Sequence, residues 1–260
     1  MQLCLGLVKG LNMKPVEQLR HIKAAGFDGF FALWEHPGQL DQLATEADAL
    51  GLLFQSVHAP FRQTSAMWEP GSSGDMALQE LLSCLEDCKR LHVPIMVSHV
   101  FMGFEVRMPT ELGIQRFARL FSAAEEAGVQ VALENVESIP HLQTLLDAFP
   151  NVRFCWDSGH GLCYNKDYDL LSMYGHRIAA THLNDNFGVQ HKDGIISKYD
   201  DLHLLPFDGK MDWDQAMQKL GCFSGPLTFE LSFKHYNDML PADFFVLAYQ
   251  RACRVAAKRG

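Results

Sequence analysis

The sequence predicts an α/β protein, a single (β/α)8 barrel spanning residues 1–260, and three observations carry that prediction. Short β-branched or aromatic runs alternate with amphipathic stretches along the whole chain, the pattern of successive βα units on a parallel sheet. Eight such runs start near residues 3, 29, 53, 95, 130, 152, 178 and 227. The length of 260 residues also fits, since eightfold barrels typically run to about 250.

Leu3 to Val8 reads as the first strand, and Pro15 to Ala25 as a helix stopped by Gly26. Gly29 to Leu33 is the second strand and runs into Trp34-Glu35-His36. A helix over Leu40 to Leu50 closes at Gly51, and Leu53 to Val57 forms a strand ending at His58. Met76 to Leu91 has apolar spacing near 3.6 and places Cys84 and Cys88 on one face, an arrangement that suits core packing. Ile95 to Ser98 leads into His99, and Thr110 to Ala127 is a long amphipathic helix ended by Gly128. Val129 to Leu133 stops at Glu134, and a helix over Ile139 to Phe149 stops before Pro150. The last three strands are Val152 to Trp156, Ile178 to Thr181 and Leu227 to Phe229, which stop at Asp157, His182 and Glu230. The longest irregular stretch, Asn184 to Lys210, follows the seventh strand and is rich in Asp, Gly and His; a loop of that length inside a domain usually has a function. Neither a linker nor an internal repeat beyond the βα rhythm interrupts the chain.

Composition narrows the function. Hydrophobic residues make up 48% of the chain and charged ones 20%, the balance of a globular protein with a large core. Apolar runs stay well short of the roughly 20 residues of a membrane span. A formal charge of −9 offers no basic footprint for nucleic acid. Met1-Gln2-Leu3-Cys4-Leu5-Gly6 has no basic region followed by a cleavable apolar segment, so a cytoplasmic location is expected. Seven cysteines at irregular spacings form neither a disulfide framework nor a Cys-x-x-Cys metal knuckle.

The chemistry lies where the strands stop. Glu134, Asp157, His182 and Glu230 each follow a hydrophobic run, and in a parallel barrel all strand C-termini open on one face. Three carboxylates and one imidazole make a hard, oxygen-rich site for a divalent metal ion, Mn2+ first, with Mg2+, Co2+ and Zn2+ also suited. A lone Asp or Glu is more often a salt-bridge or capping residue, but four in succession at strand ends are not explained that way. Cys155 shares the face of Asp157 by the strand period, and its thiol is expected deeper in the barrel core.

Val131-Ala132-Leu133-Glu134-Asn135, Cys155-Trp156-Asp157-Ser158-Gly159-His160, Thr181-His182-Leu183-Asn184-Asp185 and Thr228-Phe229-Glu230 together resemble the xylose isomerase-like TIM barrel superfamily. The stretch Asp201 to Trp213 strengthens the likeness, which covers nearly the whole chain. The superfamily includes tagatose 3-epimerase-like and hydroxypyruvate isomerase-like enzymes, inosose dehydratases and the endonuclease IV family. The resemblance implies one divalent ion on Glu134, Asp157, His182 and Glu230. It also implies catalysis by Glu134 and Glu230 from opposite faces of a planar enediolate, and a place for His160 on a substrate hydroxyl or behind Asp157. His58, His99, His160, Asp201 and His203 fall where endonuclease IV enzymes hold further zinc ions; the other reading has them line a sugar pocket.

Several features tilt the balance toward sugar. Trp34 and Glu35 are candidates for substrate binding, and Phe61, Trp68 and Phe101 for closing the pocket. Arg62 is the only basic residue between Phe61 and Gly74, and Lys192, Lys198 and Lys210 are sparse in the later loop, too few for phosphate-backbone contacts. Asn184, Asp185 and Asn186 stand where tagatose 3-epimerase-like enzymes place a substrate arginine, which argues against a free-ketohexose 3-epimerase. The resulting expectation is a metal-dependent isomerase or epimerase of a small carbohydrate, phosphorylated or not. One alternative is a keto-sugar or keto-inositol dehydratase or lyase, with His99, His203 or Glu35 as acid; the other is a trinuclear zinc phosphodiesterase. Phe244, Phe245 and Tyr249 on the final helix either meet a second copy in a homo-oligomer or pack onto the barrel.

Overall fold

The eight apolar runs become eight parallel strands: β1 (Leu3–Gly6), β2 (Gly29–Leu33), β3 (Leu53–His58), β4 (Ile95–Ser98), β5 (Gln130–Glu134), β6 (Arg153–Asp157), β7 (Ile178–His182) and β8 (Leu227–Phe229). The computed structural model describes residues 1–105 and 107–259. The strands pair in the order β7-β6-β5-β4-β3-β2-β1-β8. A parallel pair needs a crossover, which puts helices around the outside. These are α1 (Pro15–Ala25), α2 (Asp41–Leu50), α3 (Ser72–Arg90), α4 (Glu111–Ala127), α5 (Ile139–Ala148), the short α6 (Ser158–Cys163) and α7 (Leu170–Tyr174), α8 (Trp213–Lys219) and α9 (Pro241–Ala256). The barrel is nearly closed across β7 and β8, where Leu183 N donates to Thr228 O at 2.8 Å and Glu230 N to Leu183 O at 3.1 Å. Thr181 Oγ1 adds to that seam by accepting from Thr228 N at 3.0 Å.

The strand period of two sorts every strand into an outer and an inner face. Outward residues such as Val131, Leu133, Phe154 and Trp156 join the main core beneath the helices. Inward residues Ile95, Val97, Ala132, Cys155 and Ala180 form a separate small core inside the barrel. One step further along the same inward faces come Glu134, Asp157 and His182, and the registers Glu134 with Cys155 and Asp157 with His182 put them at the open end. Cys155 therefore lies below the cluster, as expected, and burial pushes its thiol pKa up to about 12.

Boundaries differ from the sequence reading in identifiable ways. β1 ends at Gly6 rather than Val8, because the chain leaves β2 and crosses to the β8 end through a bridge between Lys9 and Ser232. α3 begins at Ser72 rather than Met76, with Asp75 in its first turn bound by Arg116 at 3.0 Å. After β6 the chain forms two short helices that sequence periodicity does not predict, since Ser158–Cys163 carries two glycines. At Gly159 a Cβ would lie 2.0 Å from Asn184 Oδ1, so only glycine admits that close approach. Phe244 and Phe245 of α9 are fully buried against the barrel, which removes them as a partner face. Tyr249 is half-buried with its ring edge-on to Phe27 at 5.2 Å. Among the described residues no helix is long and apolar enough to cross a membrane.

Candidate metal centre

Glu134 at the end of β5, Asp157 at the end of β6, His182 at the end of β7 and Glu230 just beyond β8 meet at the C-terminal mouth of the barrel. One ligand atom from each lies within 4.8 Å of all the others, and all four side chains are buried. His182 Nδ1 is the meeting point, 3.1 Å from Glu134 Oε1 and 3.3 Å from Glu230 Oε2. Its ring is fixed from one side by Phe31, stacked at 4.6 Å. Asp157 is held from three directions. Its backbone N–H donates to Asn135 Oδ1 at 2.7 Å, its Oδ1 accepts from His160 N at 2.7 Å as the cap of α6, and its Oδ2 accepts from Asn184 Nδ2 at 3.1 Å.

The five further candidates fall in two groups beside this quartet. His58 Nε2 and His99 Nε2 approach Glu134 Oε2 at 3.3 and 3.2 Å. His160 Nε2 and His203 Nε2 approach Asp201 Oδ2 at 3.4 and 2.9 Å. His160 also donates from Nδ1 to Asn135 O at 2.9 Å, which turns Nε2 toward Asp201. His203 carries a positive φ of 51°, an αL conformation held by its backbone carbonyl accepting from Ser232 N at 2.9 Å.

Electrostatics follow from burial among like charges. Burial alone would raise the Glu134 carboxyl, but His182 beside it holds it well below the usual carboxylate range. Asp157 goes the other way, to about 6, because burial is opposed only in part by His160 and is reinforced by Glu134 and Asp201. Burial pushes His99 down to about 4, which keeps it neutral at physiological pH. His160 is held well above its ordinary value because Asp157 and Asp201 outweigh its burial.

The donor set fits a divalent cation. Glu134 Oε2 is buried with no properly aligned hydrogen-bond donor, although two imidazole nitrogens face it. His182 Nδ1 faces two carboxylate oxygens, so either a proton or a cation must lie between them, and its Nε2 has no hydrogen-bond partner. Three carboxylates and an imidazole around one point match an oxygen-preferring ion.

Other sequence candidates lie elsewhere. The Trp34 indole is buried and donates from Nε1 to Asp87 Oδ2 at 2.8 Å, so it is spent on α3 and does not wall the cluster. Glu35 is exposed and lines, with Trp34, Phe61 and Arg62, a separate cleft of about 310 Å³. Phe61 connects that cleft to the cluster, packing against His58 at 5.4 Å and His99 at 4.9 Å. Trp68 and Phe101 are core residues that enclose His141 rather than the mouth. Asp185 serves the long loop as a backbone acceptor, through Phe207 N and Met211 N. The sequence reading missed Lys9, whose Nζ lies 2.6 Å from Glu230 Oε1, and Tyr164, stacked on His160 at 4.9 Å. The only signal for Lys9 was a lone basic residue just past the first strand.

Residues 19–243 match the family model of the xylose isomerase-like TIM barrel. The uncharacterized protein y4fM of Sinorhizobium fredii (strain NBRC 101917 / NGR234) is 34% identical over 148 residues, 51% of this chain and 42% of the relative, so the chain spans less than half of that protein's length. The structure of the IOLI protein with a binding zinc atom superposes with a TM-score of 0.77 at 19% identity, over 100% of this chain and 99% of that one. L-ribulose 3-epimerase follows at a TM-score of 0.75 and 16% identity, over 100% and 95%. At these identities the two structures establish the shared fold.

Proposed function

Because the chain belongs to the xylose isomerase-like TIM barrel family, we propose that it is a divalent-metal-dependent isomerase or epimerase of a small carbohydrate, acting by proton transfer next to a carbonyl. The observation that carries this reading is the buried quartet in which Glu134 and Glu230 approach the same His182 nitrogen from two sides at the open end of the barrel. Glu134, Asp157, His182 and Glu230 would hold a divalent ion, with Mn2+ the best match, which would supply Lewis acidity to a carbonyl and its neighbouring C–H bond. Glu134 and Glu230 then move the proton. Removal by one and return by the other inverts a carbon, whereas return to the adjacent carbon interconverts aldose and ketose. His99, neutral through burial, is suited to exchange hydrogen bonds with a sugar hydroxyl. The names of the structural neighbours, an epimerase and a zinc-bound protein, point the same way. All seven cysteines are free thiols, which suits the reducing cytoplasm.

A second reading is favoured by one observation: His58 and His99 on Glu134, with His160 and His203 on Asp201, offer ligands for further cations beside the quartet. Such a site would hydrolyse a phosphodiester with metal-activated water. A dehydratase or lyase shares the first proton abstraction and differs in expelling a hydroxyl.

Elemental analysis of protein purified without chelator separates these readings. One Mn2+ or similar ion per chain supports the isomerase or epimerase, and two or three Zn2+ per chain with cleavage of abasic DNA would replace it. With a turned-over sugar in hand, Glu134→Gln and Glu230→Gln are each expected to lower kcat by roughly 10²- to 10⁴-fold with an unchanged circular dichroism spectrum. Near-wild-type turnover in both would end the proton-transfer mechanism.

A further inference from the structure

Lys9 sits at the barrel mouth and is the only lysine or arginine in contact with the quartet among the described residues. Its backbone is tied to the β8 end twice, by Lys9 N donating to Leu231 O at 3.3 Å and by Phe233 N donating to Lys9 O at 2.8 Å. The next residue, Gly10, turns the chain away with φ +83°, where a Cβ would meet the Lys234 side chain at 2.7 Å. The side chain is therefore anchored beside Glu230 by its own backbone, and its ammonium reaches Oε1 at 2.6 Å. The other oxygen, Oε2, is left toward His182 at 3.3 Å. Lys9 is about half exposed (49%) whereas Glu230 is 6% exposed, so the pair spans from the mouth to the buried cluster.

We propose that Lys9 is the positioning residue of Glu230: it holds Oε1, so that Glu230 offers a cation only Oε2 and keeps its second oxygen on the substrate side. This rests on the metal-site reading above. A carboxylate free to rotate can bind a cation through both oxygens, and one used that way has no oxygen left for a substrate proton. An ammonium has three N–H donors, of which Glu230 takes one. The other two have no hydrogen-bond partner among the described residues, so a substrate oxygen beside Glu230 can accept from them.

The test uses Co2+ as probe, titrated into metal-free full-length protein and followed by its d–d absorption, with no need for a known substrate. Two effects of Lys9→Met have opposite sign. Loss of a positive charge near a divalent cation tightens binding, whereas loss of an outer partner that orients a ligand weakens it, by roughly 10- to 100-fold. Affinity therefore does not separate them, but the band does: positioning predicts a weaker d–d band in Lys9→Met as Glu230 binds through both oxygens and the coordination number rises, and recovery of the band in Lys9→Arg. An unchanged band in Lys9→Met overturns the role of Lys9 while leaving the metal site standing. A wild-type chain that takes up no Co2+ overturns the metal reading and the role of Lys9 with it.

Discussion

His141 illustrates how a single buried side chain sets a pH dependence away from the candidate site. The ring is fully buried, stacked on Phe101 at 4.4 Å and edge-on to Trp68 at 4.6 Å, with Ser138 Oγ 2.6 Å from Nδ1 and no partner at Nε2. Burial lowers its pKa from 6.5 to about 4. The folded state then binds fewer protons than the unfolded state between those values, so stability is complete above about pH 6.5 and falls as the pH drops toward about 4. The full shift corresponds to roughly 3 kcal/mol. Urea unfolding of wild type and His141→Leu at about pH 7 and about pH 4.5 checks this: the wild type is expected to lose about 2 to 3 kcal/mol more than the variant. An equal loss in both chains would place the acid sensitivity elsewhere. The same residue explains a misreading, because Trp68 and Phe101 have the aromatic character of a sugar wall in sequence and spend it on enclosing an imidazole. The metal candidates were legible for a different reason: a strand that stops on a carboxylate or imidazole four times over marks one face of a barrel. Lys9 was not legible, since its partner Glu230 is brought to it only by the pairing of β1 with β8.

Strands are the elements that sequence pattern identified best, because most are short, largely apolar runs buried on both faces. The return from β7 to β8 was legible only as a long loop, and what orders it is one carboxylate. Asp185 accepts from Asn186 N at 2.8 Å, Phe207 N at 2.8 Å, Met211 N at 2.9 Å and Trp213 Nε1 at 3.2 Å, and its backbone bridges Leu204. Gly209 packs so tightly against this hub that a Cβ would lie 2.3 Å from Asp185 Oδ1. The hub fixes the segment that carries Asp201 and His203, so the second histidine group depends on it. Asp185→Ala leaves four donors unpaired in a buried setting, and a loss of about 3 kcal/mol is expected, with faster proteolysis between residues 188 and 200. Chemical denaturation with limited proteolysis reads both. A variant as stable and as protease-resistant as wild type would show that the loop is held by its other contacts instead, such as the cation–π contact of Phe207 under Arg254 at 3.8 Å.

At the scale of the whole barrel the candidate centre bears on closure. Seven strand pairings link the sheet from β7 round to β8, while β7 and β8 meet through Leu183 and the Thr181 hydroxyl rather than a regular ladder. The quartet straddles this seam, with Glu134, Asp157 and His182 on one side and Glu230 on the other. A cation shared by all four would therefore tie the two edges of the sheet together. Ligand linkage gives the scale, about 2.7 kcal/mol of added stability when free metal is about 100 times its Kd. The distribution of that stability is the informative part. Saturating Mn2+ is expected to slow amide exchange most at Leu183, Thr228 and Glu230, whose N–H groups close the seam. Glu230→Gln keeps three ligands on the β5 to β7 side, so in that variant Mn2+ is expected to protect β5 to β7 and leave the seam amides unprotected. Equal protection of the seam in wild type and Glu230→Gln would mean that a cation bound by one edge stabilises the barrel as a rigid whole, and that closure belongs to the Thr181 and Leu183 contacts alone.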